Sequence, residues 1–214
     1  GAGFAPPEAL PVGPAPQKTA VGDFDGDGLE DIAVAQQDGG TVGVLLADDN
    51  GGYAARADLS AGQAPGALRA ARLNGDALDD LVVVNTGDDT VTVWYAEIGG
   101  GFSPPTTLGV DLGPTGLLAA DLDDDGQVDL ATANADSGTV TVWYAQSAGG
   151  FGGRADLWAG FGASGVAAGD FNADGHTDLA VACRDADAIS LLHGQVGGGF
   201  AFPQDVSVGD EPVA

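Results

Sequence analysis

Acids recur at alternate positions in three stretches: Asp23, Asp25, Asp27 and Asp31 in DFDGDGLED, Asp121, Asp123, Asp125 and Asp129 in DLDDDGQVD, and Asp170, Asp174 and Asp178, with Asn172, in DFNADGHTD. Oxygen donors at loop positions 1, 3, 5 and 9, joined by the backbone carbonyl of position 7 (Leu29, Gln127 or His176), form a ligand set for a hard cation that takes six to eight oxygens. Calcium fits this set and zinc does not, because no His/Cys cluster accompanies the carboxylates. Gly28 at position 6 permits the tight turn that bends the carboxylates around one ion. The closing acid falls at position 9 with a β-run behind it, so this is not the twelve-residue helix-loop-helix calcium loop. His176 reads as a solvent-facing residue that lends only its carbonyl.

A fourth stretch, RLNGDALDD at 72–80, keeps the length and departs from the pattern. Arg72 replaces the first acid, Asn74 the second and Ala77 the turn glycine. Asn74, Asp76, the Leu78 carbonyl and Asp80 remain as a weak site, where Arg72 can place its own cation. The expectation is calcium at loops one, three and four, with loop two absent or weakest. Coordination largely filled by protein groups suits a stabilising ion, since a catalytic metal keeps an open position.

The loops begin at 23, 72, 121 and 170, a period of 49, and a Gly-aromatic step keeps the same beat at Phe4, Tyr53, Phe102, Phe151 and Phe200. Periods of this size belong to propeller blades or other stacked units. Each unit reads as four strands. Strand A (18–22, 67–71, 116–120, 165–169) is rich in Ala and Gly and suits a crowded axis. Strand B (31–35, 80–84, 129–133, 178–182) follows the closing aspartate. Strand C (41–46, 90–95, 139–144, 188–193) alternates in a way that predicts one face more buried than the other. Strand D is expected to start at the Gly-aromatic step, where Pro104, Pro105 and Pro203 suit an outer edge.

The predicted fold is therefore all-β: β-propeller blades of four antiparallel strands, in repeats at 19–67, 68–116, 117–165 and 166–214, with no helix. Residues 1–18 correspond to 197–214 and duplicate the outer strand at the termini. A closed four-blade ring needs only one such strand. Two are expected of an arc from a longer ring, natural or engineered, or of a chain that forms a homodimer through its terminal blade edges.

Thirty-two acidic residues against 6 basic ones give a net charge of −26, which makes nucleic acid a poor partner. The 37 glycines favour short strands and turns. No apolar run is long enough to predict a membrane span. Cys183 is the single cysteine and reads as a buried, inert thiol. No G-x-S-x-G turn, Ser-His-Asp arrangement or separate carboxylate pair stands out, so no enzymatic activity is expected. His193 reads as a strand-end surface group. Trp94, Tyr95, Trp143, Tyr144 and Trp158 could stack on a sugar, but their repeated strand positions favour packing between blades.

GDFDGDGLEDIAVA, ADLDDDGQVDLATA and GDFNADGHTDLAVA resemble the FG-GAP/VCBS repeat family, whose calcium-bearing blades also occur in integrin alpha-subunit heads. The resemblance covers essentially the whole chain. It implies calcium roles for the position 1, 3, 5 and 9 residues of loops one, three and four, and for Asn74, Asp76 and Asp80 in loop two. It also implies an extracellular or cell-surface location and, commonly, seven blades. The leading functional expectation is a noncatalytic, calcium-stabilised module that recognises an extracellular protein or glycan. The alternatives are a self-assembling structural fragment and an accessory part of a polysaccharide-active enzyme.

Overall fold

Short Val- and Ala-rich runs between glycine turns can satisfy their backbone groups only by pairing with neighbouring runs. The computed structural model, which describes residues 9–54 and 57–207, shows them paired as four antiparallel four-stranded sheets, one per repeat. The first blade contains β1 (Pro16–Gly22), β2 (Asp31–Gln36), β3 (Thr41–Leu45) and β4 (Ala57–Ser60). The second contains β5 (Pro65–Ala71), β6 (Asp80–Asn85), β7 (Thr90–Trp94) and β10 (Thr106–Gly109), with a small ladder of β8 (Ala96–Glu97) and β9 (Gly101–Phe102) beyond it. The third contains β11 (Pro114–Ala120), β12 (Asp129–Asn134), β13 (Thr139–Ala145) and β14 (Phe151–Trp158). The fourth contains β15 (Ala163–Gly169), β16 (Asp178–Cys183), β17 (Ala188–Leu192) and β18 (Gln204–Ser207), with one 3-10 turn at Arg184–Ala186.

The first strands of successive blades, β1, β5, β11 and β15, lie side by side along the axis. Their small residues are required there: a side chain at Gly116 would meet the Ser164 carbonyl at 3.0 Å and the Gly165 Cα at 3.2 Å. The sheets stack face to face, and three apolar cores fill the gaps between them. Leu81 and Val83 face the first blade while Val82 and Val84 face the third, so every residue of β6 is buried, as is every residue of β12. The prediction of one better-buried face is corrected for these blades. A sheet covered on both sides needs apolar residues at consecutive positions.

The Gly-aromatic step also needs correction. It starts the outer strand only in the third blade, at Phe151. Elsewhere it pairs with the chain leaving strand C, as Ala47–Tyr53, Ala96–Phe102 and Gly194–Phe200, and the outer strand begins four residues later. Pro104 and Pro203 follow the step in blades two and four, where a residue without an N–H interrupts pairing. The step's role is packing. Phe102, Phe151 and Phe200 each sit against the core beneath the preceding blade's loop, which holds Phe24, Leu73 or Leu122 respectively.

Of the duplicated terminal segment, residues 1–8, including Phe4, and 208–214 lie outside the described residues. Residues 9–15 form no strand, and Pro16–Lys18 already belong to β1. Cys183 is fully buried.

Candidate metal centre

Each acidic loop joins strand A to strand B and folds as a chain of short turns closed by its own side chains. The position 3 side chain accepts the position 5 N–H in all four loops: Asp25 from Asp27, Asn74 from Asp76, Asp123 from Asp125, and Asn172 from Asp174. The position 5 carboxylate then accepts the position 7 N–H, at 2.7–2.9 Å. These bonds fix the position 3 and 5 oxygens before any ligand arrives. In loops one, three and four the position 1 aspartate adds a bond from the position 6 glycine N–H, at 2.8–3.0 Å. Gly28, Gly126 and Gly175 have φ between +84° and +88°, which turns that N–H inward.

Loop two lacks this closing bond. Ala77 is absent from the positive-φ residues, and Arg72 is 62% exposed and directed to Asp79 at 3.6 Å. Its guanidinium therefore lies on an acid outside the ligand set. Carboxylate oxygens of Asp23, Asp25 and Asp27 lie within 4.8 Å of one another in loop one, as do those of Asp121, Asp123 and Asp129 in loop three. Among the described residues, no such triad of acids forms in loops two and four. Loop four has Asn172 where loops one and three have an acid, and its Phe171 is 49% exposed while Phe24 is fully buried beneath the next blade.

The position 9 aspartates have a structural role that spacing does not reveal. Asp31, Asp80, Asp129 and Asp178 are all buried. One oxygen of each accepts the N–H of loop position 2 (Phe24, Leu73, Leu122 or Phe171) at 2.8–2.9 Å. The other accepts an N–H at the end of strand C, from its last residue in blade three (Ala145) and from two residues beyond it in the others (Ala47, Ala96 or Gly194), at 2.7–2.9 Å. This carboxylate ties the loop to the B–C hairpin in every blade, including blade two, whose loop has Arg72 in place of the first acid.

His176 stays on the surface and His193 is mostly covered, and both side chains have partners that spacing does not show. His176 Nδ1 lies 2.7 Å from Asp124 Oδ2 in the preceding blade's loop, and this hydrogen bond first of all raises the imidazole above its ordinary pKa. His193 Nδ1 lies 3.1 Å from Asp178 Oδ2 and 3.3 Å from Asn172, roofing loop four. The available signal was the period, since Tyr95, Tyr144 and His193 are equivalent residues at the end of strand C.

Burial pushes Asp80 and Asp129 up to about 6 against the two N–H bonds each accepts, and neighbouring loop acids push the same way. Burial followed by charge repulsion also raises Asp31 and Asp123. Burial works on Asp178 too, but the Gly194 N–H, His193 and the Phe171 N–H outweigh it and hold this group below its ordinary value. Between 3.8 and about 6 the folded chain retains protons on Asp80 and Asp129 that the unfolded chain has released, so their contribution to stability falls as pH rises through that window. Metal-free protein unfolded by urea should be more stable at pH 4.5 than at pH 7. An equal or higher midpoint at pH 7 would show that these carboxyls titrate normally.

A family model described as FG-GAP-like repeat matches the sequence three times, at residues 23–83, 72–132 and 121–181. The chain belongs to the FG-GAP-like repeat family. Each match runs from the first residue of one acidic loop into strand B of the next blade, and the second begins at Arg72, so loop two is part of this FG-GAP chain's repeat despite its lost acids. No curated protein matches the sequence.

Among solved structures, a putative 6-phosphogluconolactonase from Bacteroides uniformis is similar at TM-score 0.68 and 16% identity, covering 93% of this chain and 57% of its own. The periplasmic gluconolactonase of Pseudomonas aeruginosa matches at 0.66 and 17%, over 89% and 54%. BBS1N, solved in complex with ARL6DN, matches at 0.62 and 14%, over 94% and 58%. The FG-GAP chain thus spans little more than half the length of these proteins.

The expectation of no enzymatic activity is corrected here. A similar arc of blades occurs in the putative 6-phosphogluconolactonase and in the periplasmic gluconolactonase. The architecture therefore serves as an enzyme scaffold, and a missing sequence motif is no ground for excluding catalysis.

Proposed function

We propose that this FG-GAP chain is a calcium-stabilised propeller module that recognises a protein or carbohydrate ligand outside the cell. The stabilising part rests on the converging carboxylates of loops one and three, on the position 6 glycines and on the pre-formed turns. Asp23, Asp25, Asp27 and Asp31 would hold the ion in loop one, with the Leu29 carbonyl. Asp121, Asp123, Asp125 and Asp129 would do so in loop three, with the Gln127 carbonyl, and Asp170, Asn172, Asp174 and Asp178 in loop four, with the His176 carbonyl. Calcium would supply charge that offsets carboxylate repulsion at each of these loops.

The recognition part is carried by one observation, a groove of about 300 Å³ between the outer strands of blades three and four. Trp158, Phe200 and Phe202 line it beside Asp156. Trp158 is 49% exposed and Phe202 95%, and Phe161 stands edge-on to Trp158 at 5.1 Å. Trp94, by contrast, is buried between blades. Exposed aromatic faces beside a carboxylate suit the C–H face and hydroxyls of a sugar. BBS1N, which shares this fold, was solved in complex with the protein ARL6DN, which supports keeping a protein ligand beside a glycan.

On a glycan array with calcium present, the chain should bind a subset of glycans, and Trp158→Ala should weaken binding at least tenfold with calcium content and melting unchanged. No response from folded, calcium-loaded protein would remove the carbohydrate reading and leave protein recognition.

A further inference from the structure

Six basic residues serve a chain with 32 acids, so a cation without a carboxylate partner is unusual. Arg72 pairs with Asp79, Arg154 with Asp111 and Asp156, and Arg184 with Asp185. Arg56 lies outside the described residues. Lys18 and Arg69 are the exceptions: both are exposed, and neither has an ion pair among the described residues. They lie on the inner strands of blades one and two, and both line the same cavity of about 210 Å³ at the propeller axis.

All four inner strands contribute to that cavity, and none of its lining residues is an acid. Thr19, Thr115 and Ser164 add hydroxyls. Two of these hydroxyls already donate to the backbone: Thr115 Oγ1 to the Ser164 carbonyl at 3.2 Å, and Ser164 Oγ to the Ala182 carbonyl at 3.3 Å. Their oxygen lone pairs remain to accept hydrogen bonds. Accordingly, the cavity offers two unneutralised cations and an acceptor-bearing wall.

We infer that this axial cavity binds a small hydroxylated oxyanion. Arg69 presents the planar donor fork that matches a carboxylate or phosphate, and Lys18 adds a second positive charge. The Thr115 and Ser164 oxygens select a ligand that brings its own hydroxyl donors. The volume lies below the range of about 300–1,000 Å³ typical of drug-sized ligands, which limits the occupant to a small molecule. Carboxylate and phosphate heads share the chemistry that Arg69 and Lys18 recognise. The acidic surroundings sharpen selectivity, because an anion finds favourable potential in this protein only where carboxylates are absent.

Titration calorimetry on the full, calcium-loaded chain at constant free calcium tests this with sodium gluconate, glycerol 3-phosphate and glucose. Gluconate or glycerol 3-phosphate should bind saturably at one site, and which of them binds more tightly identifies the head group. Glucose, without charge, should bind at least tenfold more weakly. Lys18→Gln and Arg69→Gln should each weaken binding tenfold or more, and the double variant should abolish it at unchanged melting temperature and calcium content. Trp158→Ala should leave oxyanion binding unaltered, which separates this site from the aromatic groove. No saturable binding of either anion, equal binding of glucose, or binding that survives in the double variant would overturn the inference.

Discussion

Withdrawal of calcium should lower the thermal midpoint of this chain by on the order of 20 °C. At free calcium about 100 times the dissociation constant, each independent site contributes roughly 2.7 kcal/mol. Three sites contribute about 8 kcal/mol, and a domain of this size loses roughly 2–4 °C per kcal/mol. The physical source is the gathering of carboxylates within 4.8 Å in loops one and three, which must repel one another without a cation. Asp27→Ala, Asp125→Ala and Asp174→Ala should each remove about one bound ion, while Asp76→Ala should change the stoichiometry little. Restoring the first acid and the turn glycine of loop two, as Arg72→Asp with Ala77→Gly, should add one ion. Metal analysis paired with melting in calcium and in chelator measures all of these. Four equal sites in the parent chain would show that Arg72 and Ala77 do not weaken loop two, and a calcium-independent midpoint would end the stabilising role.

Asp80→Ala should destabilise the chain by about 2–6 kcal/mol without changing its calcium content. The substitution strips acceptors from the buried N–H groups of Leu73 and Ala96, and each orphaned buried donor costs about 1–3 kcal/mol. That is a large part of the roughly 5–15 kcal/mol by which domains are stable. Burial disfavours the Asp80 carboxylate at neutral pH, as its pKa of about 6 indicates, so its removal brings partial relief and places the net effect toward the lower end. Asp80→Asn should fall between parent and alanine variant, since the amide keeps one acceptor and turns an NH2 toward the other N–H. Urea unfolding with metal analysis separates this from ion loss. A change below about 1 kcal/mol would mean that the two N–H groups find other partners.

The period of 49 made the blades legible because a stacked unit repeats its turns, loop lengths and core positions together. Ala and Gly in β11 and β15 announced a crowded axis, and the glycines at 28, 126 and 175 announced left-handed turns, since few residues other than glycine take such φ values cheaply. Alternating Asp and Asn residues made the short turns of the acidic loops readable for the same local reason, and with them the carboxylates gathered in loops one and three. Spacing could not show that Asp129 spends both oxygens on N–H groups 7 and 16 residues away, because those partners meet only when the loop folds over the B–C hairpin. Nor could it separate Trp94 from Trp158: one is enclosed between two sheets, the other faces a groove.

Lys18 and Arg69 stand 51 positions apart in sequence and look like isolated charges on short strands. Blade stacking brings them to one cavity. Local sequence thus determined the strands, the loops and the oxygen donors they carry, because each depends on residues within one repeat. Tertiary structure decided which loops are roofed, which aromatics are covered and which cations lack a carboxylate, because those depend on what the neighbouring blade places against them.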